Sequence, residues 1–456
     1  MDSFIYNTRF HDAFPDANSQ RIRAVAASVV ALLAVLLSGC ATYSSDPLPA
    51  QPEWSAASVG TRQPLAVDQV VALALQRSPE VRQAARDLKL AAAKKYADGL
   101  LPDPQVSLSK DFPGAQGFVP AFMAGISYEV SALITHAAQN RASLAEYQQH
   151  QLALLWVRWQ VANRAYQVFV TSTGLARVQH QTEALLAWQK EYRDRMQAAL
   201  ARGDVTLDAV AQAESGYLDS LQQLNILRQD RLKAQQELDM LLDLPPGQTL
   251  VLEEPPEAQP VPPDVVQQAL MDLPNRRPDL RALAAGYAAQ DERYRAAILG
   301  QFPKLDVGFT RGRDTSRIYT SGFTISVALP VFNRNRGNIA IEKATRENLR
   351  DEYAQRLKDA VAAVQATMAE LGMLDTQIQA AKKTEQVLER LLRTTNLAYD
   401  RHDIDLAAMS DINGKLLTQR IATARLESSR LQLQATLCTL IGVSAIDHRP
   451  LQRDRT

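Results

Sequence analysis

Several things are scarce in this 456-residue chain, and each scarcity excludes something. There are two cysteines, Cys40 and Cys438, too few for a disulfide framework. Neither sign of charge is in surplus: 50 basic residues face 50 acidic ones, for a formal net charge of zero. A nucleic-acid protein would carry a basic excess or stripe, so no nucleic-acid partner is expected. Aromatics are only 6% of the residues, and the abundance of Ala, Leu, Gln and charged side chains favours long helices over a compact α/β core. There is no phosphate-binding loop, no serine nucleophile elbow and no His-Glu zinc helix, so the chain is not read as an enzyme. The six histidines lack ligand spacing, and no metal site or other resident cofactor is expected.

Proline is absent from two long stretches, Ser131 to Leu244 and Val331 to Arg449. Runs of strong helix formers without proline read as helices. Apolar or small residues recur in the second stretch at spacings of three and four: Val361, Val364, Met368, Leu371, then Leu388, Leu392 and Thr395. That is one buried seam on a polar rod. The run breaks at Tyr399–Asp405, where Asp residues cluster, and Asp405 is placed to cap a returning helix. The first stretch breaks at Arg202-Gly203-Asp204, and its seam is Leu155, Trp159, Ala162, Tyr166 and Phe169. Each stretch is therefore a long helical hairpin. The second outgoing arm, Gly337 to Tyr399, would be about 90 Å long at ~1.5 Å per residue.

The one strongly apolar run stands near the start. Arg21 and Arg23 precede an apolar segment, Ala24 to Leu37, which suits a signal peptide and is short for a membrane span. Its end, Leu37-Ser38-Gly39-Cys40, resembles the bacterial lipobox. That resemblance implies cleavage before Cys40 and a covalent lipid on that residue, with no other cofactor. Cys438 sits among Leu437, Leu440 and Ile441 and is expected to be a small buried residue.

The chain repeats itself. Pro79 matches Pro278, an offset of 199 (278 less 79), and the same offset pairs Arg82 with Arg281, Pro104 with Pro303, Asp204 with Asp403 and Leu238 with Leu437. A gap-free register running from helix through strand to helix is a duplication. Each repeat holds two short segments of period two. In the first, Val106, Leu108 and Lys110 share a face, as do Phe122, Ala124, Ile126, Tyr128 and Val130. In the second, Leu305, Val307 and Phe309 alternate with Asp306, Gly308 and Thr310, and Phe323, Ile325, Val327 and Leu329 alternate with Thr324, Ser326 and Ala328. Apolar on one side and polar or small on the other matches a membrane β-strand. The resulting division is 1–39 signal peptide, 40–63 tether, 64–247 first repeat, 248–263 linker, 264–447 second repeat and 448–456 tail.

Four strands cannot close a membrane barrel, and an open sheet edge is not tolerated in lipid. If the strands enter a membrane, several protomers must share one barrel. The helices cannot span it, because charges such as Arg350, Asp351, Glu352 and Arg356 interrupt them. The expected fold is mainly α, with duplicated long hairpins and a small membrane β-barrel contribution. The alternative is a periplasmic coiled-coil lipoprotein scaffold without a pore, its strands forming a small soluble sheet.

The duplicated order of helix, two strands, long helix, tip and return helix resembles the TolC-type outer-membrane efflux proteins, from Cys40 onward. The run Leu329-Pro330-Val331-Phe332-Asn333-Arg334-Asn335-Arg336-Gly337-Asn338-Ile339 is similar to their heavy-metal, CzcC-like branch, and Leu101-Pro102-Asp103-Pro104 and Arg277-Pro278-Asp279-Leu280 also fit the family. The resemblance implies a homotrimer with a twelve-stranded barrel in the outer membrane and a helical tunnel in the periplasm. It implies a passive exit duct fed by an inner-membrane pump through a periplasmic adaptor, carrying heavy-metal cations or organic drugs. In the family each tip carries a pattern close to Arg-x-Gly-x-x-Ser/Thr and meets the adaptor. Here the first tip has Arg202, Gly203, Asp204 and Thr206; the second has Arg401, His402, Asp403 and Asp405, with His in place of Gly and Asp in place of Ser/Thr. That substitution leaves the geometry of the second turn open. Asp411 falls where the family places an acid of its periplasmic gate, and three copies would ring the axis with carboxylates that favour cations. The plain alternative is a solvated surface acid.

Overall fold

In a computed structural model the described residues are 43–443, apart from 53, 55–62, 115–116, 249 and 256–259. The signal peptide, Cys40 and the tail 448–456 lie outside them. The chain divides into two units, Met1–Glu53 and Trp54–Thr456. The described part of the first, 43–52, has neither helix nor strand and is exposed.

The second unit runs α1 (Val67–Arg77), α2 (Pro79–Asp98), β1 (Gln105–Asp111), β2 (Ala121–Glu129), α3 (Ser131–Ala201) and α4 (Leu207–Leu241). It continues with α5 (Pro263–Met271), α6 (Leu273–Arg276), α7 (Pro278–Leu299), β3 (Lys304–Arg313), β4 (Tyr319–Ala328), α8 (Arg336–Asp400) and α9 (Leu406–Ile441). The offset of 199 read from Pro79 and Pro278 also carries the first residue of α2 to that of α7, β1 to β3, and α4 to α9. The start of α8 departs from it furthest. Whereas α3 begins two residues after β2, Pro330 and a left-handed pair, Arg334 and Asn335, delay the start of α8. Asn335 then ties this junction to α7, its Nδ2 donating to the Ala297 carbonyl at 2.7 Å.

The long helices pack side by side in the order α4–α3–α9–α8, while α2 lies on α3 and α7 lies on both α3 and α8. Their seams follow coiled-coil spacing. On α8, Ala360, Val364, Thr367, Leu374, Ile378, Ala381 and Thr395 are buried, with Leu371, Leu388 and Leu392 half-buried between them. Steps of three and four alternate, with half-buried Glu385 holding the position between Ala381 and Leu388, the repeat that imposes left-handed supercoiling. Met368 is a correction to the expected seam. It is exposed, because the step from Val364 falls on Thr367, and Met368 is turned about 100° away. On α4, Val210, Ala213, Ser220, Leu224, Leu227, Ala234, Leu238 and Leu241 fall on the same seven-residue repeat, in steps of three, four and seven.

The largest buried apolar cluster lies where α1 packs on the first hairpin, and it includes Val70, Ala74, Val161, Phe169, Val170, Leu238 and Leu242. Cys438 joins a second, with Val266, Val364, Leu437 and Ile441, and burial pushes its thiol pKa up to about 12. Arg277 and Asp279 form a two-pronged ion pair (2.9 and 2.7 Å), both buried, at the start of α7. The Arg277 guanidinium also lies 5.2 Å from the centre of the Trp156 ring on α3. The Arg277-Pro278-Asp279 run therefore clamps α7 against the first hairpin.

Candidate functional site

Three regions concern function: the sheet, the two tips and the groove beside Asp411. The strands form one antiparallel sheet in the order β1-β2-β3-β4. Opposed residues in such a sheet share a face. Val106 therefore aligns with Ile126, Phe309 and Phe323, and Tyr128 with Val307 and Ile325. Phe309 and Phe323 meet edge to face at 5.5 Å. The other face carries Ser107, Gly125, Thr310 and Gly322 in one row and Ser127, Gly308 and Thr324 in the next.

Among the described residues no helix is laid on either face; the main helix contact is the start of α3 against β3. The apolar side chains stand open, with Phe323 85% and Leu108 70% exposed, and β1 and β4 each have an unpaired edge. A sheet with one bare apolar face and two open edges is unfinished as a monomer. Its opposite face is rich in small and hydroxyl residues. Among the described residues no helix is long and apolar enough to cross a membrane.

Both tips have one backbone design. At the first, the Gly203 N–H donates to Leu200 O and Asp204 N–H to Ala199 O, both at 2.9 Å. At the second, His402 N–H donates to Tyr399 O and Asp403 N–H to Ala398 O, again at 2.9 Å. This double bond pattern is the Schellman helix stop, whose left-handed residue is usually glycine. Gly203 has φ +79° and His402 φ +63°. The His at the second tip therefore leaves the turn intact. Each return helix is then capped: Thr206 Oγ1 accepts from Ala209 N–H at 3.4 Å, and Asp405 Oδ1 from Ala408 N–H at 2.8 Å. Arg202 and Asp204 pair at 2.8 Å, both exposed. Arg401 and Asp403 are exposed likewise.

The two hairpins abut just above the tips. Trp188 Nε1 of α3 donates to Ser410 Oγ of α9 at 3.2 Å. Burial, together with the nearby Asp405 charge, raises the Tyr192 pKa. Asp411 lines the adjoining groove with Gln189, Tyr192, Gly216, Thr384 and Lys415. Its carboxylate is exposed and pairs with Lys415 at 2.6 Å. Higher up, Glu427 of α9 joins Lys382 of α8 (2.8 Å) and Arg177 of α3 (3.5 Å), and Arg420 of α9 takes Glu385 and Glu389 at 3.3 and 2.7 Å. Sequence reasoning missed this network. The three- and four-residue spacing of Lys382, Glu385 and Glu389 beside the seam was its one visible sign. Among the described residues no group of three or more His, Cys, Asp or Glu is arranged to hold a metal ion.

Comparison with known proteins gives this arrangement its relatives. Residues 268–443, within the second repeat, match the family model "Outer membrane efflux protein". The pyoverdine export outer membrane protein OpmQ of Pseudomonas aeruginosa is 24% identical over 250 residues, 53% of this chain and 52% of that protein. The cation efflux system protein CusC of Escherichia coli K12 is 24% identical over 297 residues, 62% of this chain and 64% of that protein. The chain thus spans between half and two thirds of the length of these curated relatives. A crystal structure of CusC superposes with a TM-score of 0.64 at 19% identity, covering 88% of this chain and 100% of that one. The Campylobacter jejuni CmeC outer membrane channel superposes at 0.69 and 16% identity, covering 82% and 85%. The fold is that of the TolC-type channels: long duplicated helical hairpins bearing a small sheet.

Proposed function

We propose that this chain, which carries the outer membrane efflux protein pattern over residues 268–443, is the exit duct of a tripartite efflux system. The observation that carries this reading is the unfinished sheet: four strands, two open edges and one bare apolar face, borne on long charged helices. Three copies pairing β4 of one with β1 of the next would close a twelve-stranded barrel with its apolar face to lipid. The helical layer α4–α3–α9–α8 has free flanks at α4 and α8, which would meet in the same trimer and continue the barrel as a tunnel. The tunnel would lie in the periplasm, with the lipid on Cys40 anchoring the chain to the outer membrane. The tips, Arg202 to Thr206 and Arg401 to Asp405, would meet a periplasmic adaptor joined to an inner-membrane pump.

The cargo reading favours cations. The lumen-side strand positions carry Asp111, Glu129 and Asp306 against one base, Lys304, and Asp411 adds a carboxylate near the tips. Among the relatives, CusC is named for cation efflux and OpmQ for pyoverdine export, so organic cargo is the second reading. The test is planar-bilayer recording of the full-length lipidated protein, with its oligomeric state measured in detergent. A trimer that conducts with cation preference is expected. A non-conducting species would reject the duct in favour of a scaffold lipoprotein. Anion preference would reject the cation reading alone.

A further inference from the structure

The sheet also sorts charge by face and by height. On the apolar face, the row nearest the strand-connecting loops is Lys110, Phe122, Arg313 and Tyr319. The next is Leu108, Ala124, Arg311 and Ser321. Below them come the fully apolar Val106, Ile126, Phe309 and Phe323. Every charged side chain on this face is a cation, and all of them fall in the two rows at the loop end. The strand acids, Asp111, Glu129 and Asp306, belong to the opposite face.

None of these cations forms an ion pair among the described residues. Lys110 Nζ lies 5.0 Å over the Phe112 ring. Arg313 Nη2 donates to the Pro120 carbonyl at 3.2 Å, while its buried Nε has no hydrogen-bond partner. Asp314, the adjacent acid, is engaged in its own turn: its Oδ1 accepts from Ser316 and Ile318 N–H, both at 2.8 Å. A cation on a lipid-facing strand is costly at mid-membrane and nearly free at the interface. Arg311 stands six residues beyond Leu305, about 20 Å along the strand and about 15 Å in height at a tilt of ~40°. That is the upper half of an apolar band about 25 Å tall, with Lys110 and Arg313 one row nearer its rim.

We propose that Lys110, Arg311 and Arg313 bind the phosphate groups of an outer-leaflet glycolipid of the lipid A class. This rests on the reading of the sheet as part of an outer-membrane barrel with its loops outward. The chemistry is complementary. Guanidinium groups present a planar fork to phosphate oxygens, lysine adds a point charge, and Phe122 and Tyr319 offer apolar surface beside them.

The test uses the full-length protein assembled in nonionic detergent, with native mass spectrometry and a titration against bisphosphorylated lipid A, its dephosphorylated form and phosphatidylglycerol. Bisphosphorylated lipid A is expected to bind at least about tenfold more tightly than either of the others. Arg311→Gln with Arg313→Gln should weaken it by about tenfold or more, and Arg311→Lys with Arg313→Lys should keep most of the binding. Equal binding of the dephosphorylated lipid or of phosphatidylglycerol overturns the proposal, as does full retention in the Gln double variant. If that variant does not assemble, Lys110→Gln and the lipid comparison decide it. Failure of the unaltered protein to form a detergent-resistant oligomer would instead count against the channel reading, which separates the two failures.

Discussion

Gly203 and His402 stand at equivalent points of the two repeats and share one left-handed backbone conformation, φ +79° and +63°. For glycine that conformation costs nothing in sterics. For histidine it costs about 1–2 kcal/mol. His402→Gly should therefore stabilise the second tip, by up to about 1 kcal/mol once the greater freedom of glycine in the unfolded chain is offset. Gly203→Ala should cost about 1 kcal/mol at the first. Denaturation midpoints and the rate of protease nicking at each tip check both. Neutral results at both tips would mean that the turns relax at no cost.

The tips also show what could be read in advance. Gly203 was legible as a turn because glycine is the usual left-handed residue, and the caps at Thr206 and Asp405 were legible from residue type alone. The conformation of His402 was not, since histidine seldom adopts positive φ unless surrounding bonds hold it, here those donated by His402 and Asp403 N–H to the Tyr399 and Ala398 carbonyls. Period two exposed both faces of the strands, and a fixed offset exposed the duplication. The partners of Glu427 and Asp411 stayed hidden, because ion pairs across helices depend on which helices lie side by side. Met368 was misplaced for a smaller reason: after Val364, steps of three and of four both land on a residue that can be buried.

Cys438 should be chemically silent while the chain is folded. It is fully enclosed, and burial lifts its thiol pKa to about 12, so almost no thiolate exists at neutral pH. Maleimide labelling at pH 8 should be slow in buffer and fast in denaturant. Because the folded thiol holds its proton more tightly than the unfolded one, its contribution to stability is complete below the unfolded pKa, about 8.5. It then declines as pH rises toward the folded value. Cys438→Ser should cost about 1–3 kcal/mol, because a hydroxyl there would be buried among Val266, Val364 and Ile441. Rapid labelling of the folded protein would contradict this packing.

Glu146 of α3 binds α2 through Lys94 at 2.8 Å and α7 through Arg293. Burial alone would raise its pKa, but the Lys94 hydrogen bond and the charges of Arg293 and Lys94 together outweigh it, and the net shift is downward. The stabilisation is thus fully present above the pKa of an unfolded glutamate, about 4.3, and is lost as pH falls through the lower folded value. Glu146→Gln should cost about 1 kcal/mol at pH 7. The gap between the two proteins should close on titration below pH 4. A difference that persists unchanged at pH 3 would assign the effect to shape rather than charge.

Asp411 and its neighbour Lys415 offer a sharper test of conduction than Asp411 alone. Their ion pair is 2.6 Å long and both side chains are more than half exposed, so each charge still acts on the groove they line. Asp411→Ala leaves an unopposed ammonium in every copy, and Lys415→Ala leaves an unopposed carboxylate. If the pair borders the ion path, the reversal potential in a salt gradient should move toward anions in the first variant and toward cations in the second. The double variant should fall between them. The shifts should be clear near 0.1 M salt, where the screening length is about 10 Å, and should shrink at 1 M, where it is about 3 Å. A solvated acid away from the path would leave all three reversal potentials at the original value. Shifts of the same sign in both single variants would point to a change of channel shape, because opposite charges cannot act alike through electrostatics.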